Sequence, residues 1–258
     1  MKLSLSSRKD TLYLFLCGLF LTNAIIAEII GPKIFSVEGT LGFPPAQISL
    51  LGYTLDFNMS AGVLNWPFVF VTSDIINEYF GYKGVKRISY LTAGFISYSF
   101  VLLYAATLLP PAQFWLDLNS VDPKGNPLQI NEAFGMIFRQ GLGIILGSLV
   151  AFLFGQIMDA LVFRFLRRWT KNKFIWLRAT GSTLVSQFID SFIVIFIAFF
   201  VFGNWSFTQI IAVGSVNYLY KFAVAIAMTP LLYFAHFAID WYLGKERSQE
   251  MIQEAMDV

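Results

Sequence analysis

Asp74 and Glu78 stand four residues apart in a run otherwise fit for hydrocarbon, and that spacing sets both carboxylates on one face of a helix. Two further pairs repeat the theme at i, i+3: Gln156 with Asp159 in Gly-Gln-Ile-Met-Asp, and Gln187 with Asp190 in Ser-Gln-Phe-Ile-Asp. An ionisable group at bilayer depth costs roughly 2.5–3.5 kcal/mol on insertion scales, so each one needs a partner or a task. A carboxylate and an amide one turn apart offer acceptors and a donor to a common chamber. Arg139, Arg178 and Lys221 lie at comparable depth and could neutralise its negative charge. Trp66 and Phe70 continue the helical face of Asp74 and would present flat surfaces for stacking, while Asn23 adds an amide from the first apolar run. An enclosed polar pocket built from these residues is the leading expectation.

Plainer readings stand beside it. Asp74, Asp159 and Asp190 could each be clasped by one of the three cations, locking helices together. Glu78, close to Gly81, could be a surface charge or a gate at a helix end, and Glu28 could sit at the outer interface. Asn23 and Gln156 could merely bridge helices. Most aromatic residues are expected to pack, and His236 and Cys17 to be bystanders, while Pro230 should kink the last helix.

The elements that position these groups follow from composition. Hydrophobic residues make up 57% of the 258 positions and charged residues 13%, where soluble domains carry roughly 25%. Apolar stretches near residues 11–31, 61–80, 88–109, 133–165, 175–202 and 207–241 predict an all-α membrane protein, a bundle of six transmembrane helices. The first is long, holds Asn23 and Glu28 and lacks an Ala-x-Ala exit, so it reads as a retained span, not a cleaved signal. Lys2, Arg8 and Lys9 precede the first span; Lys83, Lys86 and Arg87 follow the second; Arg164, Arg167, Arg168, Lys171 and Lys173 follow the fourth; Lys245 and Arg247 follow the last. Opposite connections hold only Lys33 and Lys124, and this bias puts both termini in the cytoplasm. A single membrane-spanning domain is expected over residues 1–244, with 245–258 a polar, solvated cytoplasmic tail. Residues 32–60 and 110–132 read as long outer loops with turns, and 46–57 alternates enough for a hairpin or a surface-lying segment. Gly141, Gly143 and Gly147 should let helices approach closely.

Composition also excludes functions. One cysteine and one histidine rule out an internal disulfide and leave no Cys/His zinc site, so neither metal nor cofactor is expected. A net charge of +2 supplies no field for gripping nucleic acid. No Gly-x-x-x-x-Gly-Lys-Ser/Thr run exists for ATP hydrolysis. An intramembrane enzyme using Asp74 and Glu78 as acid and base would lack a nucleophile or cofactor signature. A purely structural membrane protein would leave the polar pairs unexplained.

The run Trp-Pro-Phe-Val-Phe-Val-Thr-Ser-Asp-Ile-Ile-Asn-Glu-Tyr-Phe-Gly at 66–81 resembles the signature of the queuosine precursor transporter family, formerly the putative vitamin uptake transporters. Thr22-Asn23-Ala24, the segment ending in Asp159, the segment from Arg178 to Asp190, Tyr220-Lys221 and Thr229-Pro230 resemble the same family in order. The resemblance implies a multi-pass protein of the inner cell membrane importing a 7-deazaguanine, such as 7-cyano-7-deazaguanine or its aminomethyl relative. The implied partners are that small molecule and the lipid bilayer, with a homo-oligomer left open. Such a cargo offers N1–H and an exocyclic amine that one carboxylate accepts together, an oxygen that needs an amide donor, and a π-face to stack. Asp74, Asp159 and Asp190 are the candidates for reading that edge, and the residues do not choose among them. An alternative is a substrate-binding membrane subunit docked on a separate ATPase.

Overall fold

The computed structural model describes residues 8–139, 141–171 and 173–255, the Leu142 side chain excepted. Lys2 and the last three residues of the expected tail lie outside the described residues. Helix α1 (Arg8–Ile30) leads into an outer cover made of β1 (Ile34–Ser36), α2 (Val37–Leu41), a hairpin of β2 (Ile48–Leu50) and β3 (Tyr53–Leu55), and β4 (Asn58–Ser60), which pairs antiparallel with β1. The alternating stretch 46–57 is therefore a hairpin, with Leu51 and Gly52 at its tip in the left-handed region. Helix α3 (Trp66–Leu108) follows, then α4 (Gln113–Leu118), α5 (Ile130–Phe138), α6 (Leu142–Trp169), α7 (Ile175–Ile195) continued by a π-helical turn over Phe196–Val201, α8 (Phe207–Ala227), α9 (Thr229–Leu243) and α10 (Lys245–Glu254). Five helical runs among the described residues are long and apolar enough to cross a membrane: Arg8–Ile30, Trp66–Leu108, Ile130–Trp169, Ile175–Val201 and Phe207–Leu243.

Two expected spans thus fall in one run, α3, but that run is broken. Gly81 takes φ 71° and ψ −178°, a backbone open to glycine and not to a side chain. The chain reverses there. Asn65, at the start of α3, donates to Asn23 of α1 at 3.1 Å; Phe80 packs on Tyr13, whose hydroxyl donates to the Gly84 carbonyl; beyond it Ile96 and Phe100 return to Ile25 and Glu28. The two halves of α3 run in opposite directions along α1.

Other boundaries move. The run expected as the fourth span from residue 133 is divided into two helices: Arg139 ends α5 and donates to the hydroxyl of Thr107 at 2.7 Å and its carbonyl at 2.6 Å, and α6 starts at Leu142. Arg139 therefore sits beside the C-terminal end of α3 and neutralises no pocket acid. Gly143 and Gly147 do allow close approach, since a Cβ on Gly143 would lie 2.5 Å from the Phe202 side chain, whereas one on Gly141 would meet open space. The last span breaks at Met228, where α9 starts with Pro230 in its first turn.

The tail is not solvated along its length. Helix α10 buries Ser248, Met251 and Ile252 against α3, and Arg167 donates to the Ile252 carbonyl. Arg8 donates to the Tyr242 carbonyl and Lys9 pairs with Glu254 at 2.6 Å, so both described chain ends lie together. His236 is likewise engaged: its Nδ1 meets the Tyr79 hydroxyl at 2.9 Å, and Asp240 accepts from that hydroxyl.

Glu38 organises the outer cover. Its Oε1 accepts from the Phe57 amide at 2.8 Å and the Ala46 amide at 3.4 Å, and the Phe57 amide is the main reason its carboxyl titrates below its ordinary value. A depressed folded pKa supports the fold above the unfolded value, about 4.3, and that support drains as pH falls through the folded value. Limited proteolysis with an acid-active protease is expected to open residues 32–60 as pH falls below about 4, and Glu38→Gln to open them already at neutral pH. Equal protection of the variant at neutral pH would remove Glu38 from this role.

Candidate functional site

Between the first half of α3, α7, α8 and the start of α9 lies an open-mouthed cleft of about 560 Å³, the open solvent at its mouth included. Its α3 wall carries Trp66, Phe70 and Asp74, which follow one another at i, i+4 on the inner face because Pro67 starts the helix at this register. Trp66 is braced from behind by Phe152 of α6, ring centroids 5.7 Å apart. The α7 wall supplies Thr180, Thr183 and Gln187, again a single helical face. Tyr220 and Lys221 of α8 and Thr229 of α9 close the opposite side, and Val63 roofs it beneath the outer cover, where Met59 and Val216 pack.

Of the expected site residues, Trp66, Phe70, Asp74, Gln187 and Lys221 line this cavity. Asp159 lies behind Asp74, fully buried, with its Oδ1 accepting from Ser186 at 3.2 Å. Gln156 is fully buried too and accepts from Ser73 at 2.9 Å, tying α6 to α3. Asn23 bridges α1 to Asn65, and its amide nitrogen donates to the Leu19 carbonyl. Asp190 holds Lys221 at 2.5 Å from the edge of the site.

Glu78 and Arg178 occupy one another: Oε1 to Nη2 is 2.6 Å and Oε2 to Nε is 3.0 Å, with Glu78 only 1% exposed. Glu78 is thus neither a surface charge nor a wall of the cavity. Glu28, expected at an interface, is buried as well. Its place on the α1 face turned toward the second half of α3 explains this.

The distribution of charge decides what the cavity can do. Lys221 and Arg178 are committed to Asp190 and Glu78, and among the described residues no cation stands within 4.0 Å of Asp74 or Asp159. Thr183 Oγ1 stands 3.5 Å from Asp74 Oδ2, at the limit of a hydrogen bond, and Asp74 Oδ1 has no partner although it is buried. A buried acceptor in that condition loses its hydration without replacement, which makes it receptive to a donor arriving in the cavity. Thr180, Thr183, Tyr220 and Thr229 were not expected. The spacing 180, 183, 187 on one helix face was the available signal for the first two.

Residues 60–235 match the family model described as "Putative vitamin uptake transporter". A relative from Bacillus subtilis (strain 168), named "Probable queuosine precursor transporter", is 29% identical over 189 residues, covering 73% of this chain and 74% of that protein. One of the same name from Haemophilus influenzae is 26% identical over 191 residues, covering 70% of this chain and 71% of that one. The "Queuosine precursor transporter" of Escherichia coli (strain K12) is 26% identical over 198 residues, covering 72% and 74%. No solved structure matches the chain. With the family model spanning the cavity walls from Trp66 to Leu232, the chain belongs to the vitamin uptake transporter family, a family of membrane transporters and not of enzymes.

Proposed function

We propose that this protein imports a queuosine precursor, a 7-deazaguanine such as 7-cyano-7-deazaguanine, across the inner cell membrane through the cavity between α3, α7 and α8. The observation that carries the reading is the partnerless Asp74 oxygen in the wall of an aromatic-sided chamber. The names of the three relatives support the cargo class. In this reading Asp74 accepts the cargo's N1–H and exocyclic amine, the Gln187 amide donates to its exocyclic carbonyl oxygen, and Trp66 and Phe70 offer the stacking face. Lys221 and Asp190 form the polar edge, while Asn23, Glu78, Gln156, Asp159 and Arg178 support the walls. A donor-poor or adenine-like edge would leave Asp74 unsatisfied, and that mismatch confers selectivity.

The same reading gives six crossings with both termini in the cytoplasm. Reversal at Gly81 supports reading α3 as two crossings, and the basic residues Lys83, Lys86 and Arg87 follow that turn. The contacts of Arg8 and Lys9 with Tyr242 and Glu254 hold both described ends together, which supports one side for the two termini. Purified protein in liposomes is expected to take up labelled 7-cyano-7-deazaguanine, with excess unlabelled cargo competing and adenine failing to compete. Absence of uptake, or chemical conversion of the cargo, would overturn the proposal.

A further inference from the structure

Asp74 of α3 and Asp159 of α6 are neighbours that turn to the same stretch of α7, Asp74 to the Thr183 hydroxyl at 3.5 Å and Asp159 to the Ser186 hydroxyl at 3.2 Å. Their exposures are 4% and 0%, and each has one oxygen near a hydroxyl, Thr183 for Asp74 and Ser186 for Asp159, and one oxygen with no partner at all. Two carboxylates this close and this dry cannot both ionise at modest cost, because like charges repel strongly where water is excluded. No cation nearby offers relief. On α3, Glu78 adds a negative charge one turn further on, and it is bound by Arg178 of α7 at 2.6 Å with Arg167 of α6 at 4.0 Å. On α8, Lys221 is bound to Asp190 of α7 at 2.5 Å. Helix α1 contributes Glu28, and α9 contributes His236 and Asp240, which gather on the Tyr79 hydroxyl.

One proton placed between the two carboxyl groups resolves both defects: it removes a charge and supplies the donor that the two partnerless oxygens lack. We infer that Asp159 is the proton-holding partner of Asp74, keeping one proton on the pair at neutral pH and donating it to Asp74. Asp159 is fully enclosed, whereas Asp74 faces the cavity, so the charge is better placed on Asp74 and the proton on Asp159. Asp159 is then a positioning residue: it holds the cavity carboxylate ionised and oriented, with its remaining lone pairs free for a donor pair on the cargo. This assignment deepens the transport reading and rests on it for the cargo alone.

Two consequences separate the idea from a merely structural role. Binding of 7-cyano-7-deazaguanine should follow a bell-shaped pH profile, weakening at low pH as a second proton neutralises Asp74. It should weaken again at high pH as the pair loses its one proton, each limb falling about tenfold per pH unit. Asp159→Asn keeps a donor but nothing that titrates, so the alkaline limb should disappear from its profile while the acid limb remains. Asp159→Ala, which removes the donor, should bind about tenfold or more weakly across the range.

The cargo-free measurement is infrared absorption of the purified protein at neutral pH. A protonated carboxyl band is expected in wild type, and the component due to the pair should be missing from Asp159→Asn and retained in Asp190→Asn. If the band behaves so but no deazaguanine binds, the pair stands and the transport reading falls. If cargo binds with a flat profile and Asp159→Asn leaves the band unchanged, the shared proton is overturned and the transport reading survives.

Discussion

Replacing Asp74 by Asn is expected to lower affinity for a 7-deazaguanine by about 10²–10⁴. Hydrogen bonds to a charged group contribute about 1.5–3 kcal/mol each, the cargo brings two donors, and about 1.4 kcal/mol is a factor of ten. The substitution also turns one acceptor into a donor, which then faces a cargo donor. Fold and binding respond in opposite senses here. Asp74 is buried and has no cation within 4.0 Å among the described residues, so neutralising it removes a buried charge that no cation matches and should hold or raise thermal stability. Titration calorimetry beside thermal unfolding in detergent separates the two. An Asp74→Asn protein that binds as wild type would transfer the edge-reading role elsewhere. Asp190 is the weaker alternative, since its Oδ2 is already held by Lys221.

Much of this was legible from residue types. The i, i+4 face of Trp66, Phe70 and Asp74 could be read because helical periodicity and the cost of a charge in lipid act locally. The division of the acids between free and clasped could not, because it depends on which cation reaches which carboxylate across helices. Three cations and three aspartates at similar depth allowed several pairings. The structure spends Arg178 on Glu78 and Lys221 on Asp190, and it turns Arg139 outward to Thr107. The polar tail misled for a related reason. Lys245–Glu254 is charged at five of its ten positions, yet Ser248, Met251 and Ile252 at i, i+3, i+4 form a narrow stripe, and that stripe is what docks. Glycine at 81 was visible as a break, but reversal at a single residue in place of a loop depends on a φ of 71°, which no residue count predicts.

Glu78→Gln should be the most damaging single change to stability, costing about 3–5 kcal/mol, as removal of one partner from a buried ion pair typically does. Charge count sharpens the expectation. Glu78 stands between two guanidinium groups, Arg178 at 2.6 Å and Arg167 at 4.0 Å, all three residues being 4% exposed or less. Neutralising it sets two buried cations facing each other, whereas Arg178→Met leaves the carboxylate matched by Arg167. Arg178→Met should therefore cost less than Glu78→Gln even though it breaks the shorter bond. In the double variant the two losses should not add, since the coupling between contacting residues is removed only once. The effect should spread to the chain end: Arg167 also donates to the carbonyls of Glu78 and of Ile252, so a displaced Arg167 releases α10 from α3. Thermal unfolding of purified protein in detergent, with proteolysis of residues 245–255 as the local readout, measures both. If Arg178→Met proves more damaging than Glu78→Gln, bond geometry and not the balance of buried charge holds this end of the bundle together.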